Sequence, residues 1–279
     1  LEFRRCDGIL GMGYSDLVRS ACFFRTLTSS ARPSWNIFQT DSAVILQRRQ
    51  FSFLANEYLG ELQLGGHDPA SVTEAVFYTR MLNDTGYGVA VSSMTYNGVE
   101  ILDFEFAHKG AALLSILDTG SSCLMLPNAT YNGTYTRSPF EIFKHAAKTQ
   151  PGHGIQITFG LCNNKCDTSW NAYNQSSPSN CCKTFTIPAK NWMAPGGCVQ
   201  AFPDMNVMIL GDPIFRSMLI LHDLEPPVYR VGVAAVDSTY GIGDAPINPW
   251  GDERMGPSSG RSSVHKHVAF RKRYARNTT

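Results

Sequence analysis

An aspartate at the end of an apolar run is the residue best suited to chemistry in this sequence. Residues 113–117, Leu-Leu-Ser-Ile-Leu, lead directly into Asp118, which is followed by Thr-Gly-Ser-Ser. The apolar run predicts a strand that holds the Asp118 carboxylate on a rigid element. Gly120 permits a tight turn, and the hydroxyls of Thr119 and Ser121 can hold the loop or donate to a carboxylate or a bound peptide. An ordinary turn at a strand end would use the same residues, so this segment alone does not establish catalysis.

Three further segments join an apolar run to a glycine turn. Residues 7–14 read Asp-Gly-Ile-Leu-Gly-Met-Gly-Tyr, and residues 60–69 read Gly-Glu-Leu-Gln-Leu-Gly-Gly-His-Asp-Pro. Residues 207–216 read Val-Met-Ile-Leu-Gly-Asp-Pro-Ile-Phe-Arg, and an Asp turn and another apolar run follow them. Each segment taken singly predicts only a strand followed by a turn.

The elements around these segments are short. Apolar or alternating runs separated by Gly, Asn, Asp and Pro predict an all-β domain of many short strands. The predicted strands are residues 89–94, 101–106, 111–117, 155–159, 185–187, 207–210, 218–222 and 228–236. Two short helices are predicted at residues 139–148 and 213–217, each with a proline in its first turn.

The last part of the chain differs in composition from the rest. From Tyr240 onward, Gly, Pro, Ser and Arg dominate and apolar periodicity is lost, which predicts a disordered tail over residues 237–279. Residues 265–276 are basic. They could bind an acidic partner, although a solvated tail is the simpler interpretation.

The overall composition excludes several classes of protein. Hydrophobic residues make up 43% and charged residues 17% of the chain, as in a globular protein. The net charge of +1 gives no global field toward nucleic acid or an anionic membrane surface. No run of apolar residues is long enough to predict a transmembrane helix.

Cysteines and glycosylation motifs indicate the compartment. Five of the eight cysteines fall within residues 162–198. Asn-x-Ser/Thr motifs occur at Asn83, Asn128, Asn132, Asn174 and Asn277. Together they favour the secretory pathway, secreted or lysosomal, with disulfides. The alternative is a zinc site at Cys162 and Cys166 with a later cysteine, but no histidine lies nearby at ligand spacing.

In chain order, the four glycine-turn segments resemble those of the pepsin-like aspartic peptidases. That family shows Asp-Gly-Ile-Leu-Gly, Gly-x-Leu-x-Leu-Gly-Gly-x-Asp, Asp-Thr-Gly-Ser/Thr-Ser and Ile-Leu-Gly-Asp. The resemblance covers residues 6–236 and implies a bilobal β fold. Residues 1–50 would be the remnant of the N-terminal lobe and the connection between lobes, and residues 51–236 a complete C-terminal catalytic lobe.

The resemblance also implies roles for individual residues. Asp118 would be catalytic, and no metal or cofactor would be needed. Asp212 would be structural. Cys162 and Cys198 would form the disulfide of this lobe, and the pairing of the other six cysteines stays open. The substrate-binding residues would be Gly120, Ser121, Ile9 and Ile209, and the residues supporting the active loop Thr119, Ser122, Gly11 and Gly211.

The implied activity is peptide-bond hydrolysis by a water molecule activated between two aspartates, in a protein that acts as a monomer. We expect the first catalytic aspartate and the flap upstream of Leu1, so that the 279 residues alone would be inactive. One alternative is a pepsin-like protein that has lost catalysis and binds a peptide or protein. Another is a single lobe that dimerises, as retroviral enzymes do, but the segment from Cys6 to Tyr14 argues against it.

Overall fold

Strands dominate the part of the chain that the computed structural model describes, as the short apolar runs predict. The described residues are 49–56, 59–82, 87–102, 112–128, 138–162, 182–193, 198–203, 207–224, 229–242 and 270–273. The strands are β1 Gln50–Ala55, β2 Leu59–Leu64, β3 Phe77–Arg80, β4 Gly88–Tyr96, β5 Val99–Glu100, β6 Leu113–Leu117, β7 Leu124–Pro127, β8 Ile155–Gly160, β9 Cys182–Ile187, β10 Val199–Phe202, β11 Met208–Leu210, β12 Met218–Asp223, β13 Arg230–Ala235 and β14 Phe270–Arg273. The predicted all-β class is confirmed. Ile9 and Gly11 lie outside the described residues.

The strands form two sheets. One is six-stranded and antiparallel, in the order β14-β2-β1-β12-β13-β3. The other is eight-stranded, in the order β10-β7-β11-β6-β4-β8-β9, with β5 paired to β4. In the second sheet β6 runs parallel to β11 and antiparallel to β4. The strand that enters Asp118 is therefore held on both sides.

One apolar cluster joins the two sheets. It includes Val91 and Met94 of β4, Ile157 of β8 and Ile220 of β12, each with no exposed surface. Every residue of β12 is buried, which is why its sequence is a nearly continuous apolar run rather than an alternating one. Burial of a side chain of this size contributes roughly 1.5–3 kcal/mol. The cluster makes the sheets a rigid base for the loops at their edges.

In the described part of the chain, three α-helices lie between the strands: α1 Pro139–Thr149, α2 Ala189–Met193 and α3 Asp212–Phe215. In α1, the Ser138 hydroxyl accepts a hydrogen bond from the Glu141 N–H, and Pro139 occupies the first turn. Phe143 and Ala146 face the core. The predicted helices at 139–148 and 213–217 correspond to α1 and α3, whereas α2 was not predicted because its five residues are too few for a periodic pattern.

The prediction of a strand over residues 101–106 is wrong for its first two residues. Ile101 and Leu102 are buried in a bend, and residues 103–106 lie outside the described part. The bend has a local cause, because the Glu100 carboxylate accepts hydrogen bonds from the Met94 and Leu102 N–H groups at 3.0 and 3.1 Å. A side chain thus takes the place of a strand partner for these amides.

The predicted disordered tail is wrong for two stretches. Ile242 is buried against Leu54 and Leu219, and the Tyr240 hydroxyl donates to Glu61 at 2.9 Å. Residues 270–273 form β14, which is the edge strand of the six-stranded sheet and pairs with β2. An edge strand exposes unpaired backbone groups that any extended segment can complete, and the composition of the tail gave no sign of this. The other tail residues lie outside the described part, and the domain boundaries at 50 and 236 stay predictions.

Candidate active site

Asp118 follows β6 at a point where the backbone is tightly held. Its N–H donates to the Leu210 carbonyl at 3.1 Å, and the Leu117 N–H donates to the Tyr87 carbonyl at 3.0 Å. The backbone on both sides of β6, from β11 and from the residue before β4, therefore accepts a hydrogen bond at the point where the chain passes from β6 into Asp118. The predicted strand leading into Asp118 is present, and it fixes the Cα of that residue.

The Asp118 carboxylate is held by its own loop. Its Oδ1 accepts the Gly120 N–H at 2.8 Å, and its Oδ2 accepts the Ser121 hydroxyl at 2.7 Å. The Ser121 N–H donates to the Asp118 carbonyl at 3.2 Å, which closes the turn. Two donors on different oxygens of one carboxylate fix the orientation of its plane. Asp118 is half-buried, and Thr119, Gly120 and Ser122 are exposed, so the carboxylate is both oriented and accessible.

Gly211 packs closely against the backbone of this loop. A Cβ atom at this position would lie 2.3 Å from the carbonyl oxygens of both Ser121 and Cys123, a distance that side-chain carbons do not tolerate. The Asp212 N–H donates to the Ser121 carbonyl at 2.8 Å. Ile209 is half-buried in β11, beside Ile116 of β6. The structure thus places the Ile-Leu-Gly segment directly against the Asp118 loop.

Asp212 is part of the scaffold. It is buried at the start of α3, and its Oδ2 lies 3.6 Å from Arg216 Nη2 in an ion pair within this helix. The Arg216 N–H also donates to the Asp212 carbonyl. A buried carboxylate with a guanidinium partner on its own helical turn orders that turn. This geometry agrees with the structural role predicted for Asp212.

Comparison with known proteins gives the family. The family model described as eukaryotic aspartyl protease matches residues 2–236. The chain belongs to the eukaryotic aspartyl protease family. The match spans the Asp118 loop, the Gly211 segment and the β1–β2 region, which supports aspartic proteolysis as the general activity. A search of curated protein sequences finds no significant match.

The cysteine pairing predicted for this aspartyl protease is wrong. The structure pairs Cys162 with Cys182 and Cys123 with Cys198, at Cα–Cα distances of 5.2 and 4.6 Å. Strand register is the reason. Gly160 of β8 lies opposite Cys182 of β9, and Leu124 of β7 lies opposite Val199 of β10. Each bonded pair therefore sits at an end of two adjacent strands, within disulfide reach.

These bonds also count against the zinc alternative, because the thiols of Cys162, Cys182 and Cys198 are used in disulfides. Among the described residues, no cluster of three or more His, Cys, Asp or Glu side chains could hold a metal ion. Within the same residues, no helix has the length and apolar character needed to cross a membrane.

A buried histidine of β12 was not predicted from the sequence of this aspartyl protease. The His222 ring of β12 stacks on Phe51 at 4.4 Å and meets the Tyr87 ring edge-on at 4.2 Å. Neither ring nitrogen has a hydrogen-bond partner within the described part of the chain. Burial lowers the pKa of His222 from 6.5 to about 3. A histidine directly after the apolar run 218–221 was the available signal.

A second Asp-Thr-Gly was also missed. It spans residues 84–86, which lie outside the described residues. The preceding residues Met-Leu-Asn do not form an apolar run like that before Asp118. The tripeptide alone therefore does not distinguish these two aspartates, and the strand context must do so.

Proposed function

We propose that the chain carries one half of the catalytic centre of an aspartic endopeptidase, with Asp118 as one of two aspartates that activate a water molecule. The observation that most supports this proposal is the position and orientation of the Asp118 carboxylate. It lies at the end of a central strand, is oriented by two donors and remains partly exposed. A rigidly positioned and accessible carboxylate is suited to general acid–base catalysis.

The chemistry requires a second carboxyl group, as is general for aspartic proteases. Two carboxyl groups a few ångströms apart do not both ionise easily, so they share a proton and titrate as a pair. The charged member takes a proton from the attacking water, and the protonated member donates to the scissile carbonyl. Water attacks directly, so no covalent acyl-enzyme forms. In this proposal Asp118 is one member of that pair.

The proposed second carboxylate belongs to a first lobe. The segment Ile9-Leu10-Gly11 repeats the Ile209-Leu210-Gly211 pattern that supports the Asp118 loop. We assign Ile9 and Gly11 to the corresponding support in the first lobe. Its Asp-Thr-Gly or Asp-Ser-Gly would lie in a part of the natural protein that these 279 residues do not include. The 279 residues alone would then be inactive.

The proposed substrate is an extended peptide or unfolded protein with apolar side chains around the cleaved bond. Ile9 and Ile209 are assigned to the apolar pockets, because an extended peptide presents alternate side chains to such pockets. Gly120 and Ser121 are assigned to the peptide backbone. The Gly120 N–H and Ser121 O–H already donate to Asp118, so the Ser121 hydroxyl oxygen would contact the substrate as an acceptor.

The proposed location is the secretory pathway, in a protein that acts as a monomer. Two disulfides in the described residues fit an oxidising compartment. Asn128, the first residue of an Asn-x-Thr motif, is exposed at the end of β7. Secretory expression followed by glycosidase treatment should lower the mass. An unchanged mass together with free thiols would contradict this location.

Cleavage profiling tests the proposed activity. The natural protein is incubated with a peptide library from pH 3 to 7, and the cut sites are read by mass spectrometry. We expect cleavage that is greatest at acid pH, with large apolar residues beside the cut. Binding of library peptides without any cleavage would favour the inactive, peptide-binding alternative. Preference for charged residues on both sides would contradict the assigned pockets.

A further inference from the structure

The Cys123–Cys198 bond lies at the exit of the Asp118 loop. Cys123 is buried five residues after Asp118 and immediately precedes β7. The Leu124 N–H donates to the Cys198 carbonyl at 2.9 Å, next to the disulfide. The end of the Asp118 loop is therefore attached to the start of β10 by one disulfide and one hydrogen bond.

The strand on the other side of this bond has few other attachments. β10 lies at the end of the eight-stranded sheet, and within the described residues it pairs only with β7, over four residues. A short parallel ladder at a sheet edge is a weak attachment. The disulfide joins the start of β10 to the start of β7, and the start of β7 is the end of that strand nearest the Asp118 loop.

The same segment of loop carries the contacts that seat the carboxylate. The carbonyl oxygens of Ser121 and Cys123 both lie where a Gly211 side chain would be, and the Ser121 carbonyl accepts the Asp212 N–H. A shift of the Cys123 backbone would move Ser121, whose hydroxyl donates to Asp118 at 2.7 Å. The position of this donor is therefore coupled to the position of the disulfide.

We propose that the Cys123–Cys198 disulfide is a positioning element for the catalytic aspartate: it clamps the loop exit between β10 and Gly211 and so aligns the Ser121 donor with Asp118. This inference rests on the proposed function for its catalytic consequence. Neither Cys123 nor Cys198 is proposed to touch the reacting atoms. They act through Ser121.

The second disulfide provides a matched control. Cys162–Cys182 joins the ends of β8 and β9, on the side of the sheet away from β10. The test compares the natural protein with Cys123→Ala/Cys198→Ala and with Cys162→Ala/Cys182→Ala. Amide hydrogen exchange is followed at Asp212, whose N–H donates to Ser121, and at Leu117, whose N–H donates to Tyr87 on the β4 side. Peptide turnover is measured on the same samples.

In the Cys123→Ala/Cys198→Ala variant we expect the Asp212 amide to exchange at least about tenfold faster, with the Leu117 amide unchanged. We expect kcat to fall about tenfold with a smaller change in KM, because a misaligned group costs rate more than binding. The Cys162→Ala/Cys182→Ala variant should show neither effect. Unchanged exchange at Asp212, or equal effects in both variants, would overturn the positioning role.

The exchange measurement does not depend on activity. If no sample cleaves peptide, the proposed function fails, whereas faster exchange at Asp212 alone would still support the clamp. If the double variant does not fold, the wild-type protein is reduced briefly with a dithiol and alkylated. The modified cysteines are mapped by mass, and the same two amides are followed. Unaltered Asp212 exchange in molecules modified at Cys123 and Cys198 would overturn the proposal.

Discussion

At the scale of single residues, the Asp118 site depends on short hydrogen bonds from its own loop. Gly120 and Ser121 donate to different oxygens of the same carboxylate. A hydrogen bond to a charged group contributes about 1.5–3 kcal/mol. Losing one donor should therefore change function measurably without unfolding the protein.

Ser121→Ala tests this donor. We expect kcat/KM to fall about tenfold or more, because the Asp118 carboxylate loses a hydroxyl at 2.7 Å. The matched control is Ser93→Ala, which removes a hydroxyl that donates to the Glu100 carboxylate at 2.5 Å, away from the site. Initial rates of peptide cleavage and thermal unfolding are measured for both. Equal losses of activity in the two variants would contradict a specific role for Ser121.

The buried His222 predicts a pH dependence of stability. Burial lowers the pKa of His222 to about 3, while the unfolded chain titrates near 6.5. Below pH 6.5 the unfolded state binds the proton more readily, so the folded state loses stability as the pH falls toward 3. Each pH unit within that window costs on the order of 1.4 kcal/mol. Above pH 6.5 this group contributes no pH dependence.

His222→Phe should remove this contribution while keeping a ring that can stack on Phe51. Urea unfolding of the variant and wild type is compared at pH 7, 5 and 4, with the exposed His145→Phe as the control. We expect the stability difference between wild type and His222→Phe to shift steadily in favour of the variant as the pH falls. A difference that does not change with pH would show that His222 is protonated or solvated in the folded protein.

At the scale of elements, the site is built where a loop and a strand end meet. The sequence was sufficient to predict β6, the Asp118 turn and the Ile209–Gly211 segment, because an apolar run ending in a glycine turn is a local pattern. The cysteine pairing was not predictable, since it depends on the register of β7 with β10 and of β8 with β9. Register is fixed by the whole sheet. The His222 environment likewise depends on side chains brought together from three strands or loops.

Gly211→Ala tests the contact between these elements. The added methyl group would lie 2.3 Å from two carbonyl oxygens of the loop, so the loop must move. We expect a loss of stability of about 1–3 kcal/mol together with a large fall in turnover. The control is Gly152→Ala, where φ is +88° and the space is open, so only backbone strain of about 1–2 kcal/mol is added. Normal turnover in Gly211→Ala would contradict the role of this contact.

At the scale of the whole molecule, the basic tail takes part in the fold. β14 pairs with β2 in the register Arg271 opposite Glu61 and Lys272 opposite Gly60. The same β2 strand pairs with β1 on its other side. Its amides therefore point alternately to β1 and to β14. The composition of the tail predicted disorder. A four-residue strand that pairs with a sheet edge distant in the sequence has no local pattern that would indicate it.

Proline in β14 tests this pairing. Arg271→Pro and Lys272→Pro are both made, because only alternate residues of β14 donate to β2 and proline removes one donor. In the variant that removes a ladder bond, alternate amides of β2 should exchange faster, and those bonded to β1 should not. Uniform acceleration along β2 would indicate general unfolding. No change in either variant would mean that β14 does not dock in solution.

In the proposed function, the strand that leads into Asp118, and not the Asp-Thr-Gly tripeptide alone, makes this aspartate catalytic. The most direct measurement compares Asp118→Asn with Asp84→Asn in the natural protein, since both change the same tripeptide. Asparagine keeps the size of the side chain and removes the ionisable carboxyl, so both variants should fold with nearly unchanged circular dichroism. We predict that Asp118→Asn lowers peptide turnover by roughly three orders of magnitude or more, while Asp84→Asn cleaves like wild type. Wild-type cleavage by Asp118→Asn, or equal loss in the two variants, would contradict the assignment of Asp118 as the catalytic aspartate of this chain.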